Sequence, residues 1–236
     1  MTNKDKTTAR IVGALFLIAM VTSLVGAGLI ETIIGGPDYL MDISVDNTQV
    51  TIGALLELIN GIAVVGIAFM MFPILKKLNE SLAIGYVSFR TIEVVIIIAA
   101  LIAPLTLAAL SQEFTSAGAA DAAAFRALGS SILGVREILA GYMLGIFFSL
   151  GALIFYYLLY QSRLVPRFIS IWGLIAVVLV FTWNFLGLIG ISIEAGIIFG
   201  LPIILNEIFR GIWLIAKGFN SSAIDYDSVK AEIAVS

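Results

Sequence analysis

The chain has 236 residues, 61% of them apolar and only 12% charged, with a net charge of -3 and a mean hydropathy of +1.10, which is the composition of a membrane protein. It contains no cysteine and no histidine, which excludes disulfides, thiolate chemistry, imidazole general bases and His or Cys metal ligation. Any metal would be a hard cation on oxygen ligands, nothing calls for a metal site or a cofactor, and no basic run points to nucleic acid.

Taken in chain order, residues 11–30 form an apolar run long enough for one span, preceded by Lys4, Lys6 and Arg10. A cleaved secretory signal with Val25-Gly26-Ala27 at its end is the competing reading. Residues 31–49 contain Gly35-Gly36-Pro37 and the acids Asp38, Asp42 and Asp46, which predicts a polar outer loop. A second span is expected over 50–72, ending at Pro73 before Lys76 and Lys77, and a third from about Leu82 to Pro104. Residues 110–127, with Glu113, Asp121 and Arg126 among small residues, predict a loose, partly helical connection.

The fourth apolar stretch, 128–160, exceeds the ~20 residues a span needs, so it must tilt or project beyond the bilayer. Tyr156, Tyr157 and Tyr160 suit an interfacial belt at its end, as do Trp172 and Trp213 near the ends of the next two spans. A basic turn with Arg163, Pro166 and Arg167 leads to a fifth span over 168–190, and a short loop with Glu194 to a sixth over 196–216. The expected division is an N-terminus at 1–10, a six-helix transmembrane domain at 11–217 and a polar tail at 218–236. Loop charges fix the expected orientation: Lys4, Lys6, Arg10, Lys76, Lys77, Arg163, Arg167 and Lys217 fall on one side and Arg126 alone on the other. The positive-inside rule then predicts a multi-pass protein of the cell membrane with both termini cytoplasmic.

The fold class expected is an all-α integral membrane bundle of six helices, in one reading three helical hairpins. The skeleton Glu-x-x-x-Gly recurs at Glu57 to Gly61, Glu137 to Gly141 and Glu207 to Gly211, on spans two, four and six, at offsets of 80 and 70 residues. A threefold repeat and a chance match to a loose pattern both fit this spacing. At 1.5 Å per residue the three carboxylates lie roughly 10–16 Å in from the outer ends of their spans.

Charges at such depth are costly without partners, and the polar set is Glu57, Asn60, Arg90, Glu93, Arg136, Glu137, Asn184, Asn206, Glu207 and Arg210. Four carboxylates against three guanidinium groups is near the neutrality a buried network requires. In one reading these groups pair and fix helix register. In the other, one carboxylate is left over, faces a polar cavity and binds a proton, a cation or a small solute. Glu207, with Asn206 and Arg210 beside it and Pro202 upstream, is the residue the sequence favours for that role. Gly141, Gly145 and Ser149 form a ladder of small residues suited to close packing within the bundle.

The runs Gly85-Tyr86-Val87-Ser88-Phe89-Arg90-Thr91-Ile92-Glu93, Arg163-Leu164-Val165-Pro166-Arg167 with Trp172-Gly173-Leu174-Ile175, and Pro202 to Glu207 followed by Trp213 to Phe219, resemble a prokaryotic multi-span membrane family indexed as domain of unknown function 4386. The resemblance extends from about Ala9 to Phe219. It implies an integral membrane protein and adds no mechanism.

The function expected from the residues is proton-linked binding or transport of a small solute or ion at the Glu/Arg/Asn cluster. The partners are membrane lipids and a small molecule or cation, with the oligomeric state open. A structural or sensing protein whose charges only fix packing is the alternative. An intramembrane enzyme acting on a lipid, with Glu57, Glu137 or Glu207 as acid or base, is the weaker one, since no nucleophile motif accompanies them.

Overall fold

The computed structural model describes residues 3–117, 121–191, 193 and 196–220. Glu194 and the tail beyond Asn220 lie outside the described residues. The elements are α1 (Asn3–Ile34), α2 (Tyr39–Val45), α3 (Asn47–Leu75), α4 (Glu80–Ala117), α5 (Ala122–Arg136), a π-helical segment (Glu137–Met143), α6 (Leu144–Ser162), α7 (Arg167–Leu188) and α8 (Gly196–Ala216). Since α5, the π segment and α6 form one rod, six helices among the described residues are long and apolar enough to cross a membrane. The protein is an all-α membrane bundle.

The six long helices stand in a ring in chain order: α1 packs on α3, α3 on α4, α4 on α6, α6 on α7, α7 on α8, and α8 closes onto α1. Alternating direction puts the start of α1 and the end of α8 at one end, called here the terminal side, opposite the far side. Two backbone crossings hold α1 in place. A Cβ on Gly13 would lie 2.7 Å from the carbonyl oxygen of Gly211, and one on Gly53 would lie 2.9 Å from that of Gly26, so only glycine lets these helices approach so closely.

A ring of six leaves an axis that side chains must fill. On the terminal side Phe16, Ile67, Met71, Tyr86, Phe155, Tyr156 and Leu214 fill it, with Tyr86 and Phe155 stacked at 5.0 Å between centroids. On the far side a second cluster joins Ile30, Ile34, Tyr39, Leu40, Ile43, Val50, Leu101 and Leu107. Between these two plugs lie Glu57, Asn60, Arg90, Glu93, Asn184 and Glu207.

Several expectations are corrected. The outer loop contains α2, whose Tyr39, Leu40 and Ile43 are buried, and α3 begins before residue 50, capped by Asp46, which accepts from the Thr48 N–H at 3.0 Å. Pro104 does not end the third span: α4 continues to Ala117, and Pro73 and Pro202 also lie inside their helices. The connection expected over 110–127 is thus largely helical, the end of α4 and the start of α5. α8 begins at Gly196 and continues through Pro202 to Ala216, with the helical hydrogen bond that proline cannot donate missing there. Phe219 is buried against the core rather than part of a polar tail, and the Asn220 N–H donates to the Leu164 carbonyl at 2.8 Å.

Candidate functional site

Two adjoining cavities occupy the ring. A far-side chamber of about 440 Å³ is lined by Ser23, Ala27, Glu31, Ile34, Glu57, Ile97, Ala100, Leu101, Leu133, Arg136, Glu137, Ala140, Gly141 and Leu144. An axial chamber of about 360 Å³ is lined from all six long helices, with Asn60, Arg90, Glu93, Asn184 and Glu207 as its polar groups apart from Ser23 and Trp183. Ser23, Ile97, Ala140, Gly141 and Leu144 wall both. Lining residues on α1 run from Phe16 to Ile34, about 27 Å at 1.5 Å per residue, close to the thickness of a hydrocarbon core.

The π segment shapes the junction between the chambers. Its helix hydrogen bonds skip one residue further than in an α-helix, as in the Leu144 N–H to the Leu139 carbonyl, and its Ala140 and Gly141 line both chambers. Such segments recur at functional sites. No sequence signal announces an i to i+5 ladder, and this one was not expected.

The deep charges are paired. Arg90 Nη1 donates to both Glu93 carboxylate oxygens, at 2.9 and 3.2 Å, on one face of α4, with its guanidinium 5.0 Å from the Phe148 ring. Arg210 donates through Nη2 to Glu207 at 3.0 Å. Its guanidinium lies 3.8 Å from the Phe16 ring centre and 4.8 Å from that of Tyr156, so aromatic faces replace water around a side chain with 0% exposure. Arg210 therefore belongs to the terminal-side plug and does not line the cavity. Asn206 also lies off it, accepting from Tyr156 Oη at 2.6 Å and donating to the Ile169 carbonyl at 2.9 Å. It ties α8 to α6 and α7.

The far-side chamber is different. Arg136 directs Nε and Nη2 at one oxygen of Glu31, at 3.1 and 2.7 Å. Glu31 is a residue the sequence placed in a loop, and its side chain is 59% exposed at the chamber mouth. Glu137 is exposed and accepts from Tyr142 Oη at 2.8 Å. The expectation that Arg136 and Glu137 sit deep together is therefore replaced by a mouth formed from Glu31, Arg136 and Glu137.

Glu57 lies further in, on α3, and is 8% exposed. It accepts from the Asn60 side-chain amide at 3.3 Å, and the Ala27 backbone and the Arg136 charge also act on its carboxylate. Among the described residues no Lys or Arg lies within ion-pair reach of it, and Arg136, which lines the same chamber, is engaged by Glu31. Two of the four carboxylates are thus left without a guanidinium, Glu137 exposed at the mouth and Glu57 buried further in, whereas Glu207 is paired.

Eight of the ten residues singled out from the sequence line the two chambers, three in the first and five in the second. Sequence reading missed Glu31, Tyr142 and the aromatic rings around Arg210. Asn184 fills the space left by the missing side chain of Gly145, so that part of the small-residue ladder packs inside the bundle. The three Glu-x-x-x-Gly copies share no common environment, since Glu57 meets an amide, Glu137 a phenol and Glu207 a guanidinium. No group of three or more acidic side chains among the described residues is placed to hold a metal ion.

No curated protein and no solved structure matches the chain. One family model does, over residues 11–218, and its description is Domain of unknown function (DUF4386). With the match covering all six spans, the chain belongs to this family.

Proposed function

We propose that this protein binds a small solute or ion in the far-side chamber and passes it toward the axial chamber, as a transporter or a membrane-embedded receptor does. The single observation that carries this reading is Glu57: a buried carboxylate lining a cavity, with an amide for a partner where Glu93 and Glu207 each have a guanidinium. A carboxylate at this depth acquires a proton, a cation or a cationic solute, because leaving it bare in a low-dielectric interior is too costly. The loop charges favour cytoplasmic termini, and in that orientation the chamber mouth faces the outside of the cell membrane while the plug around Phe16, Phe155 and Arg210 lies toward the cytoplasm. A chamber open on one side and plugged on the other is what one end state of alternating access requires.

The structural reading keeps part of the constellation. Arg90 with Glu93, Arg210 with Glu207, and Asn206 with Tyr156 are internally satisfied, and they serve the bundle.

The test is a thermal-stability screen of detergent-purified wild type and Glu57→Gln against cations, polar metabolites and lipids across pH. A ligand that raises the melting temperature of the wild type and leaves Glu57→Gln unmoved is the expected result. Equal stabilisation of both proteins would place binding away from Glu57.

A further inference from the structure

Resting on that reading, we infer that the ligand of the far-side chamber is a small organic cation, an ammonium group carried on a hydrocarbon body, with the ammonium at Glu57 and the body between α1, α4 and the π segment.

Charge comes first. The chamber has three carboxylates, Glu31, Glu57 and Glu137, against one guanidinium, Arg136, and Arg136 is taken by Glu31 through two of its nitrogens. A cation entering the mouth meets acids on the way in and, at the end, a buried one that makes no ion-pair contact among the described residues. An anion would meet three carboxylates against that one guanidinium.

The walls then separate an organic cation from an inorganic one. A dehydrated metal ion needs several converging oxygens, and no acidic trio suited to a metal is present among the described residues. Beyond its few polar groups the chamber surface is hydrocarbon, with Ile34, Ile97, Leu101, Leu133 and Leu144 among its walls. A volume of about 440 Å³ lies within the roughly 300–1,000 Å³ of small-molecule sites and is far too large for one bare ion. An alkyl group fills such a space without leaving polar groups unpaired.

The ammonium would also find neutral acceptors. Pro104 has no N–H, so the Ala100 carbonyl lacks its usual helical donor, and Ala100 lines this chamber. Ser23 contributes a hydroxyl at the boundary with the axial chamber. An ammonium with three donors can be shared between Glu57 and such oxygens.

The experiment measures melting temperatures of the purified full chain in titrations of hexylammonium chloride, sodium hexanoate, 1-hexanol, sodium chloride and potassium chloride, using wild type, Glu57→Gln and Ala27→Leu. The last variant narrows the chamber and leaves every charge in place. Expected is a saturable rise with hexylammonium alone, with apparent affinity at least tenfold weaker in both variants. Ala27→Leu keeps the test decisive should Glu57→Gln fail to fold. If sodium or potassium gives the Glu57-dependent rise and hexylammonium neither adds to it nor competes, ion binding at Glu57 stands and the organic cation is wrong. Hexanol or hexanoate acting as well as hexylammonium overturns the inference through hydrocarbon partitioning or the wrong charge. No Glu57-dependent response to any of these probes overturns the inference, and the same silence in the screen of cations, polar metabolites and lipids across pH overturns the function it rests on.

Discussion

Glu207→Gln is predicted to destabilise the bundle more than Arg210→Met, the reverse of what the relative size of the two changes suggests. Arg210 is 0% exposed, whereas the Glu207 side chain is 15% exposed and lines the axial chamber. Neutralising Glu207 leaves a guanidinium among aromatic rings with no carboxylate partner and with Nε and Nη1 already lacking acceptors. Breaking a buried pair by removing one partner costs about 3–5 kcal/mol, and the fully enclosed charge belongs at the upper end. The glutamine oxygen still accepts one hydrogen bond and returns about 1 kcal/mol. Removing the arginine strands a carboxylate that can take water or a proton from the chamber, and methionine keeps much of the contact with Phe16, so about 2 kcal/mol is expected from lost cation-ring attraction and the weakened acid. The assay is reversible unfolding in mixed micelles, with both single variants and the double variant closing a cycle. Coupling of about 1–3 kcal/mol is expected for contacting charges. Arg210→Met costing more than Glu207→Gln, or a coupling below about 0.5 kcal/mol, would refute the burial argument.

Gly145→Ala should destabilise by about 1–3 kcal/mol through overpacking, because its Cβ would overlap the Asn184 side chain; Asn184→Ala in the same chain should recover most of the loss, as read from melting temperatures of the two proteins. Asn206→Leu removes both hydrogen bonds that tie α8 to α6 and α7 and leaves the Tyr156 hydroxyl buried without its acceptor, for a loss of about 2–4 kcal/mol by the same unfolding assay. In the cysteine-free chain, Ser116→Cys on intact cells should react with a membrane-impermeant maleimide while a cysteine at Lys77 should not, and the opposite pattern would invert the topology.

Six spans were legible because each has a long apolar run, and α8 was legible to its ends because Gly196 and Lys217-Gly218 bound it. Legibility failed where local signals conflicted with packing. Gly35-Gly36-Pro37 and three acids concealed the buried face of α2, and Pro104 suggested an end where neighbouring helices carry α4 onward. Pairing was harder to read. Arg210 could be placed one turn from Glu207 from spacing alone, but the partner of Arg136 lies 105 residues away on α1, and only the ring closure brings them together. Which acid remains unpaired is a property of that closure, which explains why the sequence favoured Glu207 and the structure isolates Glu57.

The central claim is a water-reachable, acidic chamber that opens outward and is organised on Glu57. Its most direct measurement is the reaction rate of Ala27→Cys, a position on the chamber wall, with cationic and anionic methanethiosulfonate reagents added outside intact cells. The account predicts that the cationic reagent reacts about tenfold faster or more, as focusing by a recessed acid requires, and that Glu57→Gln brings the two rates toward equality. Labelling that is absent, equal for both charges, or indifferent to Glu57→Gln would contradict it.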